Sequence, residues 1–403
     1  MSAPPGSKPA EPEVRAHADF AAGWDVYQIA LEDDPHPHWR ALRERAPIHD
    51  AGNGVFLVTS FALCDAALRS PALLAGRGVA ESFGATGFLR EVMQSWLMSL
   101  DGPAHERARS LVSRSFTARR VAELRGFVRE ESERLVAQAF ERAQDGRAEL
   151  ARGLGFALPS QVIRQLFQIP REEWAEEVEA RFQPGEPLPL LALAERFRDR
   201  LRAGAGAREG LLAQLGASDP EHGRLSELEI VANAVLLISA AIDTTAGLIS
   251  NAVLCLLSLP GAWARVGRER ERIADAVLET LRFEPPALSA SRSVPARSEL
   301  GGRPLEPGSQ LLLCVAAAQR DPARFPDPDR FDLERREREL LVFGGGRHFC
   351  LGAALAKLEA EVALGALLDR APALELAAPV VWRKGNPTIR APRELFVRRA
   401  GGG

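Results

Sequence analysis

Apolar residues recur at helical spacing through most of residues 102–259, whereas strand-like alternation is confined to a few short segments. The helical spacing predicts helices over residues 122–141, 158–167, 172–182, 190–201 and 227–257. Alternation and turn residues predict short strands over residues 54–59, within 292–315 and in a terminal hairpin over 387–397. Neither an internal repeat nor a Gly/Ser-rich linker divides the chain. The pattern therefore predicts one mainly α domain with small β sheets.

The N-terminus and the longest apolar stretch bear on where the protein resides. Residues 1–19 are rich in Pro, Ala and Glu and lack an apolar core, so we expect a disordered leader, neither a signal peptide nor a membrane anchor. Residues 230–259 are strongly apolar, but Asn233, Asp243 and Asn251 interrupt them. An Asp at the centre of a membrane span costs about 2.5–3.5 kcal/mol. We therefore predict a buried central helix there, and no membrane association.

Composition narrows the function classes further. The net charge of −3 leaves no domain-scale basic excess to neutralise phosphates, which argues against a dedicated nucleic-acid binder. The four cysteines are scattered, with no CxxC pair and no zinc-site spacing. Such sparse use is typical of a reducing cytoplasm rather than of a disulfide-linked secreted fold, so we expect a cytoplasmic protein.

One cysteine, Cys350, ends a glycine-dense loop and precedes a helix-forming run that starts at Ala353. Its sulfur would face the unpaired N–H groups and positive dipole end of that helix, and both favour the thiolate. The glycines permit positive φ and let backbone amides, or a flat cofactor, approach closely. The alternative is a structural cysteine beside a flexible turn.

The run FGGGRHFCLG over residues 343–352 resembles the cysteine-ligand loop of the cytochrome P450 family, the haem-thiolate monooxygenases. Six residues match that signature: Phe343, Gly344, Gly346, His348, Cys350 and Gly352. The resemblance implies the single triangular P450 domain over residues 20–400, haem b as cofactor and Cys350 as the ligand of its iron. Phe343, Gly344 and Gly352 would lie against the cofactor.

A second motif is the pair Glu279 and Arg282, which share a helix face at a spacing of three residues. The spacing alone is a weak signal, but Pro285 and Pro286 end the helix and the cysteine loop follows 71 residues after Glu279. The resemblance implies that Arg335, from a proline-rich segment, joins the pair in a buried structural network behind the haem. A solvated surface pair is the alternative.

The central apolar helix carries an acid and a hydroxyl, Asp243 and Thr244, which are costly there unless satisfied or used. The resemblance implies that Thr244 hydrogen-bonds dioxygen or an ordered water on the distal side, while Asp243 brings in protons. Ala241 stands where the family's motif has glycine, and its methyl group could narrow the oxygen groove. The alternative is an Asp/Thr pair bonded back to the helix backbone, with a structural role only.

Four residues, of which His348 also belongs to the cysteine loop, match the family's contacts to the haem propionates: His105, Arg109, Arg292 and His348. His105 and Arg109 lie at i and i+4 of a helix predicted to start at Pro103, so they share a face. The other histidines fit no ligand pattern, and we expect them to be solvated.

The resemblance implies a monooxygenase that inserts one atom of dioxygen into a C–H or C=C bond. Nothing in the sequence resembles a flavin or nicotinamide site, so electrons would come from a separate ferredoxin or flavodoxin with its reductase. An arginine-rich face could receive that acidic partner, or could simply be solvated: Arg107, Arg114, Arg119, Arg120, Arg347 and Lys357. A peroxide-driven haem enzyme and a non-catalytic haem sensor or carrier are the alternatives. We expect a monomer.

The substrate is expected to be a lipophilic small molecule such as a terpene, steroid, fatty acid or polyketide. The family's variable distal segments correspond to residues 83–98, 182–190, 235–240, 288–290 and 388–389, and a turn at residues 183–187 could hinge a lid. Six residues of these segments are candidates for the pocket, with core packing as the alternative: Phe88, Val92, Trp96, Ala240, Leu288 and Ile389.

Overall fold

A computed structural model describes residues 26–75, 80, 84–175, 189–204 and 210–401, and most of them are helical. The predicted leader and the predicted hinge at residues 183–187 lie outside these ranges. The helices before the central one are α1 (Val26–Ala30), α2 (His36–Arg45), α3 (Phe61–Arg69), α4 (Gly87–Gln94), α5 (Gly102–Ser113), α6 (Ala118–Glu123), α7 (Arg125–Glu141), α8 (Ala157–Phe167), α9 (Arg171–Trp174), α10 (Leu190–Arg202) and α11 (Gly210–Leu215). The remaining helices are α12 (Glu227–Ser258), α13 (Ala262–Arg268), α14 (Ile273–Phe283), α15 (Val315–Ala318) and α16 (Ala353–Arg370).

The helices predicted over residues 158–167, 190–201 and 227–257 are confirmed as α8, α10 and α12. The helix predicted over 122–141 is divided, because the N–H of Leu124 bonds to Val121 O and so closes α6 before α7 begins. A π-helical segment, Ala151–Phe156, leads directly into α8. Of the helix predicted over 172–182, the described residues contain α9.

The strands form small sheets, as predicted. They are β1 (Ile48–Gly52), β2 (Val55–Val58), β3 (Ala148–Glu149), β4 (Ala290–Ser293), β5 (Ser298–Leu300), β6 (Arg303–Leu305), β7 (Gln310–Leu313), β8 (Leu374–Leu376), β9 (Val381–Trp382), β10 (Pro392–Glu394) and β11 (Phe396–Arg399). The largest sheet has the order β1-β2-β7-β4, with β2 and β7 parallel and the other neighbours antiparallel.

The predicted terminal hairpin over residues 387–397 is wrong. β10 pairs with β9, whereas β11 pairs with β3 and β8. Leu395, between β10 and β11, is fully buried, and the chain passes there from one sheet to another. Local alternation marks a strand but carries no information about its partner, which explains the error.

The central helix α12 begins with a capping box, in which Ser226 and Glu229 each accept a hydrogen bond from the other's backbone N–H. The helix is long and apolar enough to cross a bilayer, but 67% of its most apolar 18-residue window is buried inside the protein. The half from Ile230 to Ala246 packs into one apolar core, and the half from Leu248 to Leu256 packs into another. α12 is therefore a core helix around which the helical part of the fold is built.

The π-helical segment meets α12 at close range through Gly155. A Cβ atom at this position would collide with Ser250 Oγ and lie 3.2 Å from Ala246 O. Glycine lets the two backbones approach closely here, beside the stretch of α12 that contains Asp243 and Thr244.

Candidate active site

The loop before α16 holds Cys350 by backbone hydrogen bonds and by glycines that no other residue could replace without strain. Gly344 and Gly346 have φ of 73° and 61°, and a Cβ at Gly346 would lie 3.1 Å from the Cα of Arg69 in α3. The N–H of Cys350 donates to Phe343 O at 2.8 Å. The loop therefore packs against α3 and leaves Cys350 just before the first turn of α16.

The Cys350 side chain is accessible, whereas Cys64, Cys255 and Cys314 are buried. The surrounding protein raises the pKa of the Cys350 thiol, but the N–H groups of Gly352 and Ala353 and the charge of Arg109 act in the opposite direction. Burial raises the pKa of the other three thiols, that of Cys314 to about 12. Cys350 is thus the accessible thiol that also has donors placed to favour its thiolate.

One face of α12 is open although the helix runs through the core. Ala240 is exposed and Ala241 and Thr244 are partly exposed, whereas Ile238, Ile242 and Thr245 are buried. The open positions follow the spacing of one helix face. Ala241 and Leu351, the residue after Cys350, pack against the same apolar core. This face, with Ala240 and Ala241 as its small residues, is therefore not covered by the rest of the described chain.

Asp243 and Thr244 have different partners in the structure. Asp243 Oδ1 accepts a hydrogen bond from Arg383 Nη1 at 2.6 Å, and Thr244 Oγ1 donates to Ala240 O at 2.7 Å. Burial raises the pKa of Asp243, and the Arg383 guanidinium partly offsets that rise. Sequence reasoning missed Arg383, which lies 140 residues away on the irregular segment between β9 and β10. Thr244 thus adopts the back-bonded geometry, from which its hydroxyl can rotate toward the open face.

Three of the four predicted propionate contacts gather near Asp101. The rings of His105 and His348 have centroids 4.1 Å apart, and His348 Nε2 lies 3.1 Å from Asp101 Oδ1. Arg292 is 6% exposed, interacts with the charge of Asp101, and donates to the carbonyl oxygens of Ser291 and Leu68. The fourth, Arg109, donates to the carbonyl oxygen of Phe349 at 2.7 Å.

His105 provides the sharpest test of whether a carboxylate-bearing group fits here. It is 1% exposed, and neither ring nitrogen has a hydrogen-bond partner. Burial, together with His348 and Arg109, lowers its pKa to about 4, so the ring is neutral at pH 7 and can donate one N–H. A buried donor without a partner is costly, and a carboxylate bound beside it would satisfy the N–H and raise the pKa. His105 and Arg292 therefore fit the propionates of a haem.

Glu279, Arg282 and Arg335 form a buried cluster. Arg282 donates two hydrogen bonds to the Glu279 carboxylate at 2.7 and 2.9 Å, and Arg335 Nε donates to it at 3.2 Å. The backbone N–H of Asp332 adds a fourth bond at 2.9 Å. All donors on the carboxylate are therefore contributed by α14 and the segment before the cysteine loop.

The candidate pocket residues fall into two groups. Val92 and Trp96 are buried in the core beside the N-terminal half of α12, and Phe88 lies under the Arg198 guanidinium of α10, 4.3 Å from its ring centroid. Leu288 is buried in a separate apolar cluster beside the large sheet, and Ile389 forms an isolated antiparallel β-bridge with Ala287. Ala240, on the open face of α12, belongs to neither group.

The predicted arginine-rich face is partly committed to contacts within the chain. Arg107 pairs with Glu229, Arg114 with Asp219, and Arg119 with Glu123. Within the described ranges, three residues of that face have no side-chain hydrogen bond or ion pair: Arg120, Arg347 and Lys357. A partner that docked here would meet fewer free cations than the sequence suggested.

The expectation that the remaining histidines are solvated is wrong for His36 and His49, both of which are buried. His36 Nε2 lies 3.1 Å from Glu284 Oε2, and Arg390 donates to the same carboxylate at 2.5 Å. Burial lowers the pKa of His36, so its ring is neutral at pH 7 and the charge of Glu284 is balanced by Arg390. His36, Glu284 and Arg390 lie far apart in sequence, and no local sequence pattern predicts that they are in contact.

Known proteins resemble this chain over nearly all of its length. It is 35% identical over 385 residues to the cytochrome P450 monooxygenase PikC of Streptomyces venezuelae, and the alignment covers 91% of each protein. The chain belongs to the cytochrome P450 family. The family model for cytochrome P450 also matches residues 190–371 of this P450. 6-Deoxyerythronolide B hydroxylase of Saccharopolyspora erythraea is 34% identical over 392 residues, which covers 89% of this chain and 95% of the hydroxylase.

Solved structures agree with this assignment. A myxobacterial cytochrome P450, CYP267B1, in complex with myristic acid, superposes with a TM-score of 0.81 at 29% identity, and the match covers 93% of this chain and 98% of that one. The P450 fold and the monooxygenase class are thereby established. This P450 is an oxidoreductase of a family that uses a haem-thiolate cofactor.

Proposed function

We propose that this P450 is a cytoplasmic monooxygenase that hydroxylates or epoxidises a lipophilic small molecule of secondary metabolism, with haem b held by Cys350. The observation that carries the proposal is the accessible Cys350 just before α16, where the N–H groups of Gly352 and Ala353 offset part of the rise that burial causes in its thiol pKa. Relatives named as hydroxylases of 6-deoxyerythronolide B and of vitamin D(3) support a lipophilic substrate.

His105 and Arg292 would bind the two haem propionates, and His348 and Arg109 would support them at the same edge. Phe343, Gly344 and Gly352 would lie against the cofactor on the side of the cysteine. When bound, the haem iron supplies the oxidising chemistry that places one oxygen atom in the substrate and releases the other as water.

The open face of α12 would receive the substrate beside the haem, with Ala240 and Ala241 leaving room for it. Thr244 would rotate from Ala240 O to hydrogen-bond dioxygen or an ordered water at this face. Asp243 would pass protons inward while Arg383 sets how readily it holds them. The Glu279, Arg282 and Arg335 cluster would keep the core rigid behind the cysteine loop.

Two electrons would come from a separate ferredoxin or flavodoxin and its reductase, docking near Arg120, Arg347 and Lys357. In a peroxide-driven reaction the peroxide already supplies the reduced oxygen and the protons of the released water, so the pair of Asp243 and Thr244 favours the reductase-driven reaction. The relatives are named as monooxygenases and hydroxylases, which favours catalysis over a haem sensor or carrier.

The carbon-monoxide difference spectrum of the dithionite-reduced protein tests the ligand assignment. We expect the strongly red-shifted Soret band of a thiolate-ligated haem in the wild-type protein and its loss in Cys350→Ser. Cys64→Ser, at a buried cysteine away from the loop, should keep the band. A wild-type protein with the spectrum of a histidine-ligated haem, or a Cys350→Ser variant that retained the red-shifted band, would refute the proposal.

A further inference from the structure

A broad cleft lies on a face of the molecule that the monooxygenase reaction does not use. Its volume is about 780 Å³, and its walls come from α7, the turn before β3, the π-helical segment and the start of α8. None of its lining residues is among those of the candidate active site. The volume is within the range of clefts that hold small organic ligands.

Five arginines line this cleft against two acids, which makes it strongly cationic. The arginines are Arg134, Arg142, Arg147, Arg152 and Arg171, and the acids are Asp145 and Glu149. Two of the arginines, Arg134 and Arg171, are paired with Glu131, which lies just outside the lining. The side chains of the other three, Arg142, Arg147 and Arg152, have no hydrogen bond or ion pair within the described ranges.

A tight turn brings these three uncommitted arginines to the same cleft. Asp145 and Gly146 both have positive φ, 50° and 73°, and Gln144 and Arg147 exchange backbone hydrogen bonds of 3.2 and 2.9 Å across them. This is the geometry of a two-residue hairpin turn, for which Asp-Gly is a preferred sequence. The chain therefore reverses between Arg142 and Arg147, and it reaches Arg152 three residues after β3 ends.

The acid closest in sequence to Arg152 is already engaged. The Glu149 carboxylate accepts hydrogen bonds from the backbone N–H groups of Ala151, Arg152 and Gly153 at 2.8–3.3 Å, and from that of Leu395 at 3.1 Å. It caps the π-helical segment, so its negative charge is directed to backbone amides rather than to guanidinium groups. Among the described residues, the other lining acid, Asp145, forms no ion pair with Arg142, Arg147 or Arg152, so these arginines are left to bind an anion from solution.

The cleft also has apolar lining. Phe396 of β11 is partly exposed, and Leu135, Ala139 and Phe156, which are 5–8% exposed, lie behind the arginines. Guanidinium forks match phosphate oxygens in a bidentate manner, and apolar and aromatic side chains suit a flat organic ring. The arginines together with the apolar lining therefore favour an anion that contains both phosphate groups and an organic ring.

We propose that this cleft is a binding site for an organic phosphate of nucleotide size, separate from the haem site. Its phosphates bind Arg142, Arg147 and Arg152, and its organic part lies against the apolar lining. ATP is the probe for the whole site, and inorganic pyrophosphate is the probe for the arginines alone.

The test is isothermal titration calorimetry, in which each probe is titrated into the haem-loaded protein. We expect saturable binding of ATP, weaker binding of pyrophosphate, and a loss of ATP affinity of at least about tenfold in the triple variant Arg142→Gln/Arg147→Gln/Arg152→Gln. The matched control is Arg129→Gln/Arg268→Gln/Arg336→Gln, which removes the same charge from exposed arginines outside the cleft. The control should retain wild-type affinity.

Three results would overturn the proposal. One is no saturable ATP binding up to about 5 mM, a concentration at which even a weak site would fill. Another is an equal loss in both triple variants, because general attraction to a cationic surface would explain it. The third is wild-type affinity in the cleft variant. All six positions are exposed, so a carbon-monoxide spectrum and melting temperature like those of the wild type will verify that each variant is folded.

Discussion

Two carboxylates of this P450, Glu279 and Asp243, are each held by arginine, but one is far more completely bound than the other. The Glu279 side chain is 3% exposed and accepts from two arginines and one backbone N–H. The guanidinium groups of those arginines are also bonded to backbone carbonyls: Pro326, Asp327, Pro328, Arg330 and Gln319.

The Asp243 side chain is 18% exposed and has one arginine contact, to Arg383 Nη1. Arg383 Nε is buried and has no hydrogen-bond partner. This difference in the number of donors indicates that the carboxylate–arginine contact has a different role at Asp243 than at Glu279. A carboxylate surrounded by donors is held rigidly, whereas one with a single partner and a route to solvent can exchange a proton.

The largest expected effect is the loss of stability in Glu279→Gln. Two buried guanidinium groups would lose their carboxylate, which should cost about 3–5 kcal/mol in the free energy of unfolding. Urea unfolding followed by circular dichroism measures it. The matched control is Glu123→Gln, which breaks an exposed pair with Arg119 and should cost about 0–1 kcal/mol. Equal stability of the two variants would remove the distinction between the buried cluster and a surface pair.

Arg383→Gln should have a smaller effect that depends on pH. The variant leaves a buried carboxylate without its cation, at a cost of about 1–3 kcal/mol where Asp243 is ionised. Burial already raises the pKa of Asp243, and loss of the guanidinium raises it further. The folded state then binds a proton that the unfolded state releases above its ordinary pKa, so stability falls as pH rises through that window.

Urea unfolding of Arg383→Gln at pH 5 and pH 8 measures this dependence. The destabilisation relative to the wild type should be greater at pH 8 than at pH 5. Arg383→Lys keeps the charge and should show much less of this dependence. A pH-independent loss in Arg383→Gln would mean that packing, not the charge of Asp243, accounts for the contact.

The smallest effect on stability is expected for Thr244→Ala. The hydroxyl bonds to Ala240 O of its own helix, so its removal should cost no more than about 1 kcal/mol. If Thr244 controls proton delivery, the variant should still bind substrate, but a larger share of the electrons should reduce dioxygen to peroxide or water instead of forming product. The measurement is product formed per NADPH consumed with a ferredoxin and its reductase. Unchanged coupling would assign proton delivery to another group, and Thr245→Ala, at a buried neighbour, serves as the control.

Helical periodicity predicted α8, α10 and α12 well, because each buries a regular stripe of apolar residues. It did not predict the break at Leu124 or the π-helical segment before α8. The π-helical segment packs against α7 and α12, and Gly155 is a sign of this only once Ser250 is known to face it. The terminal hairpin was wrong for a related reason, since β10 and β11 find their partners in different sheets.

Of the candidate site, the sequence predicted the elements that local motifs encode. Glycines with positive φ and the helix start at Ala353 place Cys350, and spacing on one helix face places Glu279 beside Arg282. Arg383 and the contact of His36 with Glu284 were missed, because each joins residues more than a hundred positions apart. The arginine-rich face was overestimated, since Glu229 and Asp219, each more than a hundred residues away in sequence, pair with Arg107 and Arg114.

The sequence by itself determined the family, the mainly helical fold, the cysteine loop and the acid and hydroxyl of α12, because each is written in contiguous residues or in short helical spacing. Tertiary structure decided how those groups are partnered: Arg383 on Asp243, carbonyl oxygens on Arg282 and Arg335, and no partner for the buried ring of His105. Partners of this kind depend on which distant segments pack together. Packing is set by the whole core, and no local pattern in the chain encodes it.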